Sequence, residues 1–209
     1  MATIHTRKQE LIHGLIHGVG VLFGISALPV LTALATTHKD TSAIIGAGIY
    51  GFCFLLLFTS SMVYHLLENE QVKKLFEMFD HISIYFMIAG AYTPFLLVYV
   101  NNAFGITLLT ILWGLTLLGI FFKIWFTGRL KLLSTLIYVV MGWALLAGGK
   151  RFFAELPVSA IIMVLVGAAI YSVGVAFYIW GRRSYTHALW HGIVLAAAIC
   201  HYVAVLMVM

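Results

Sequence analysis

The chain reads as an all-α integral membrane protein of seven transmembrane helices, with the amino terminus in the cytoplasm and the carboxyl terminus outside. Three observations predict this class. Hydrophobic residues make up 63% of the 209 and charged residues only 9%, against about 25% charged in soluble domains. Seven apolar stretches come close to the roughly 20 residues that cross a bilayer. Lys and Arg gather in alternate connections, as they do on the cytoplasmic side of membranes.

Taken in order, the first stretch, 16–36, follows a short tail, 1–15, that carries Arg7, Lys8 and Glu10. It has no small-residue cleavage site, so it reads as a retained helix and not a signal peptide. The second, 42–66, holds Gly46, Gly48 and Gly51; with Gly14, Gly18, Gly20 and Gly24 before it, these suit close helix contacts. The third, 80–100, opens on Asp80 and His81 and contains Pro94, which is expected to kink it, as Pro29 is in the first. The fourth, fifth and sixth are 104–125, 132–149 and 158–180. The seventh, 186–208, begins with His187 and His191. Trp125, Trp143, Trp180 and Tyr185 fall near span ends and read as interfacial anchors. The expectation is one seven-helix domain over 1–209, without a soluble domain.

Orientation rests on nine basic residues, Arg7, Lys8, Lys73, Lys74, Lys123, Arg129, Lys131, Arg182 and Arg183, against three, Lys39, Lys150 and Arg151. The net charge of +5 follows from this placement. A nucleic-acid partner would need a clustered basic face on a soluble surface, and the pattern offers neither. Cys53 and Cys200 lie inside spans as small apolar residues, and no disulfide is expected. No internal repeat is apparent, which counts against a paired-repeat transporter.

The polar side chains inside the spans carry the functional reading, because ionisable groups there are costly and usually face the bundle interior. With this topology Ser61, Tyr64 and His65 end the second helix at the cytoplasmic side. Asp80 and His81 begin the third at the same level, and His187 and His191 begin the seventh there. Residues four apart on a helix share a face, so His187 and His191 can bind one ion and His65 would complete three nitrogen ligands. Three protein ligands and a water make a catalytic zinc site, and bound zinc brings its water to a pKa of about 7. Ser61 and Asp80 are then placed around that water, with Asp80 as general base.

Each piece has a plainer reading. A helical His can hydrogen-bond a neighbouring backbone, Ser61 can serve helix packing beside Thr59 and Ser60, and Asp80 can be an N-cap or first-turn acid. His13 and His17 form a second i, i+4 pair that could supply a ligand or a second site, or face solvent and headgroups. His201 lies too far along its helix to join, His81 is turned about 100° from Asp80, and His5 and His38 look exposed.

The ordered set Ser61-x-x-x-His65, Phe79-Asp80-His81 and His187-x-x-x-His191 over seven spans resembles the bacterial hemolysin III family, related to the progestin and adiponectin receptors. The resemblance covers the chain and takes in Glu10 through His17-Gly18, Ala91-Tyr92-Thr93-Pro94 and His191-Gly192. It implies zinc ligands at His65, His187 and His191, with Ser61 and Asp80 around the metal-bound water. His13 departs from the family, where Asn is expected. The wider group includes alkaline ceramidases, in which a zinc hydroxide attacks a lipid amide.

The function expected is therefore a zinc-dependent hydrolase of the bacterial inner membrane, acting on a lipid-like amide or ester, with membrane lipids as partners and a role in membrane homeostasis. The alternatives are a non-catalytic receptor or regulator with structural zinc and a proton or ion conduit using His and Asp as relays. Direct pore formation is not expected, since the chain has neither a soluble form nor an insertable amphipathic segment.

Overall fold

The computed structural model describes residues 6–37, 40–126, 130–180 and 184–209. The described residues form eight helices: α1 (Arg7–Thr37), α2 (Thr41–Leu66), α3 (Glu70–Val98), α4 (Ala103–Phe126), α5 (Lys131–Gly142), α6 (Leu145–Glu155), α7 (Val158–Trp180) and α8 (Ser184–Leu206). His5, His38, Lys39, Arg129, Arg182 and Arg183 lie outside the described residues, as do the side chains of Lys131, Arg151, Trp180 and Tyr185. Six helices, α1 to α4, α7 and α8, are long and apolar enough to cross a membrane.

Helix starts are decided by caps as much as by hydropathy. Asp40 caps α2 by accepting from the Ser42 amide at 2.9 Å. Asn69 caps α3 by accepting from the amides of Gln71 and Val72 at 3.0 and 3.2 Å. The acid in the next position, Glu70, complements the positive end of that helix. Because of this cap α3 begins at Glu70, a full polar segment before the apolar stretch that starts at 80. Asp80 is thus interior to a helix, and the N-cap reading of it is overturned. The expected tail 1–15 is likewise helical from Arg7 onward.

The fifth expected span is where the structure departs most from the hydropathy pattern. Stretch 132–149 is not one helix: α5 ends at Gly142, Trp143 and Ala144 turn, and α6 has Gly149 at φ 48° within it. Glycine is a poor helix interior residue and accepts positive φ readily, which explains the break at this Gly-rich place. The broken backbone is repaired from outside. The Tyr92 hydroxyl on α3 donates to the Gly142 carbonyl at 2.7 Å and accepts from the Leu145 amide at 3.1 Å.

In the packing, α1 lies between α2 and α8, α2 packs on α3, α3 on α4, and α7 on α8. Small residues let the helices approach. A Cβ added to Gly46 would stand 2.9 Å from Pro94 Cα, and one on Gly24 would stand 2.8 Å from a Leu55 methyl. Gly48 faces open space, so it plays no such part. Helix α3 is continuous through Pro94, and α1 through Pro29.

Tyr50, Phe54, Phe58 and Tyr85 fill the interior. The outside is apolar instead, with Leu22 68%, Leu118 65% and Val158 71% exposed. Such a surface is a liability in water and fits a hydrocarbon environment. Trp125 points outward as expected. Trp143 lines a cavity, and its indole N–H donates to Ser172 Oγ at 2.9 Å, tying the break to α7.

Candidate metal centre

Three helices bring histidines to one end of the bundle: α1 near its start, α2 in its last turn and α8 in its first turns. One donor atom from each of His13, His65, His187 and His191 lies within 4.8 Å of the others. His13, His65 and His191 are buried and His187 is half-buried. The three histidines expected as ligands therefore meet, and a fourth, His13, joins them.

The imidazoles are held by partners on their far nitrogens. His65 Nδ1–H donates to Glu10 Oε2 at 2.9 Å, and the same oxygen accepts from Lys73 Nζ at 3.0 Å. His191 Nδ1 and His17 Nε2 are 2.7 Å apart in a hydrogen bond. In each case the other nitrogen, His65 Nε2 and His191 Nε2, is buried and has no hydrogen-bond partner among the described residues. A buried polar atom without a partner is costly. Metal-ligating histidines characteristically donate their other N–H to a carboxylate or similar acceptor, which fixes the tautomer and aims the free nitrogen. The donor set thus fits a cation that imidazole binds.

The pair His13 and His17 does not face headgroups; both are buried and they divide the work. His13 joins the cluster while His17 supports His191. Glu10 carries the support for His65. The spacing Glu10, His13, His17 places all three on one face of α1, an i, i+3, i+7 stripe; the sequence offered His13 and His17 as a possible ligand or second site but did not join Glu10 to them. Arg7 secures this end of α1, pairing with Glu68 at 2.8 Å and donating to the Leu66 carbonyl at 3.2 Å.

Ser61 and Asp80 stand together: the buried Ser61 hydroxyl donates to Asp80 Oδ1. They line a cavity of about 660 Å³ together with His65, His187 and His191. The cavity continues past apolar side chains of α3 and α8 to His201, which stands apart from the cluster. His81 also borders it but is committed to the Glu77 carbonyl, to which its Nδ1–H donates at 2.6 Å. Lys123, counted in the sequence as a loop charge, is within α4, buried, and lines the cavity with its ammonium 5.9 Å from the Tyr138 ring centre.

Residues 5–202 match the family described as Haemolysin-III related. The chain belongs to the haemolysin III family. It is 40% identical over 201 residues to the "Hemolysin-3 homolog" of Bacillus subtilis, covering 96% of this chain and 94% of that one. The "Hemolysin-3" of Bacillus cereus is 38% identical over 199 residues, covering 95% and 91%. The human "Monocyte to macrophage differentiation factor" is 28% identical over 189 residues, covering 85% and 77%. No solved structure matches. Membership of this haemolysin III family and six helices among the described residues long and apolar enough to cross a membrane make the chain a multi-pass membrane protein.

Proposed function

We propose that this haemolysin III protein is a zinc-dependent hydrolase of the inner (cytoplasmic) membrane that cleaves a lipid-like amide or ester and serves membrane homeostasis. The observation that carries the reading is the shared cavity. Three histidines with two aimed, buried nitrogens and the Ser61–Asp80 pair line one space that continues between apolar walls. Zinc bound there would supply a Lewis acid and a water of lowered pKa.

The chain's own residues would do the rest. Asp80 takes the proton of the attacking water and returns it to the departing amine or alcohol as the acyl carbon–nitrogen or carbon–oxygen bond breaks. Ser61 fixes the orientation of Asp80, and the apolar wall of α3 holds the acyl chain, which enters laterally between helices. In this proposal α5 and α6 together make the seventh crossing, and the amino terminus and the histidine end face the cytoplasm.

A second reading has its own support. Four protein ligands close a zinc site, and closed sites are usually structural; with His13 present, the cluster offers four. Zinc would then fasten α1, α2 and α8 in a receptor or regulator that performs no chemistry. Elemental analysis of detergent-purified protein is the first test: about one zinc per chain, lost in a His187→Ala, His191→Ala double variant, is expected. Asp80→Asn separates the two readings, since it should keep the metal and abolish hydrolysis of lipid amides and esters. Full function in that variant would sink the hydrolase.

A further inference from the structure

We infer that His13 is a fourth ligand, so that one divalent cation is held by four imidazoles from three helices, three lining the cavity and one behind it. This rests on the metal reading above and favours its second, closed-site form over hydrolysis. His13 is 0% exposed, and its ring centre stands 5.0, 4.8 and 4.9 Å from those of His65, His187 and His191. It is thus nearly equidistant from all three. His65 and His187 are further from each other, at 6.2 Å. His191 is placed in the same way, 4.8 and 4.6 Å from His65 and His187, so His13 and His191 each stand beside all the other rings.

The backbone next to it is arranged for this approach. A Cβ added to the adjacent Gly14 would meet Leu66 side-chain carbons at 2.6 and 2.9 Å. Glycine there lets α1 close on the last turn of α2, which carries His65. With zinc–nitrogen bonds of about 2.0–2.1 Å, tetrahedral geometry sets ligand nitrogens about 3.4 Å apart. The present limit of 4.8 Å leaves a contraction that side-chain torsions can supply.

The side from which His13 comes decides what it does. His65, His187 and His191 border the cavity, whereas His13 is not among the residues lining it. A cation held by all four has its tetrahedron complete, so a molecule in the cavity reaches it only as a fifth ligand or by displacing an imidazole. His13 therefore strengthens retention of the metal at the expense of its openness. Neutral imidazoles leave the whole +2 charge in place, and Glu10, on the far nitrogen of His65, supplies a compensating carboxylate.

The test counts ligands directly. Zinc X-ray absorption on zinc-loaded wild type in detergent should fit four imidazoles, and His13→Ala three imidazoles and one oxygen. Competition with a chromophoric chelator should show zinc held at least about tenfold more weakly by the variant, at or beyond the lower end of what losing an outer partner brings. Three imidazoles in wild type, with count and affinity unchanged in His13→Ala, would overturn the role of His13 and leave the proposed function standing. Wild type that takes up no zinc would overturn both. If His13→Ala fails to fold, His13→Asn replaces it, and the wild-type count decides alone.

Discussion

Glu10 has a larger part in the centre than its place in the first turns of α1 suggests. Its carboxylate joins His65 and Lys73, so one oxygen both fixes an imidazole and draws a cation from α3 to the same point. Removing such an outer partner typically lowers metal affinity 10–100-fold. Glu10→Gln is therefore expected to fold, to keep the metal in excess zinc and to lose it about tenfold or more faster to a chelator; unchanged retention would separate Glu10 from the site. At this scale the sequence showed which polar residues converge but not how they pair. Ser61 with His65 and His187 with His191 were picked out by i, i+4 spacing inside apolar helices, and Asp80 by its level on the adjacent helix; the structure brings all five to one cavity. Glu10, His13 and His17 were harder to weigh because they lie where the helix leaves the apolar stretch, and polar residues there look solvated.

At the scale of elements, the break between α5 and α6 is bridged by the Tyr92 phenol. Tyr92 satisfies a carbonyl and an amide that no helix can pair at that point. Tyr92→Phe leaves the buried Leu145 amide and the half-buried Gly142 carbonyl without that partner, a loss of about 1–3 kcal/mol for the buried group. A lower thermal midpoint and faster amide exchange around residues 142–146 are expected. If neither changes, the break is stabilised by something other than Tyr92. Hydropathy could not reveal this break, since it registers composition and not the tally of backbone hydrogen bonds. The same blindness hid the true start of α3, where the Asn69 cap makes a polar segment helical.

For the molecule as a whole, apolar faces outward and a buried polar cluster at one end make the bilayer and the site two sides of one arrangement. The proposed orientation has a direct check: a carboxyl-terminal alkaline phosphatase fusion should be active and a fluorescent protein fused there dark, and the reverse would place the histidine end outside. Composition and apolar run length by themselves determined that this is a helical membrane protein, because a spanning segment must satisfy its backbone internally and cover itself with apolar side chains. Motif order by itself determined the family. Only the tertiary structure decided that α1 inserts between α2 and α8, that His13 meets the other three histidines while His17 holds His191, and that the fifth apolar stretch is two helices. Those outcomes depend on which faces of distant helices touch, and local sequence records a helix's faces but not its neighbours.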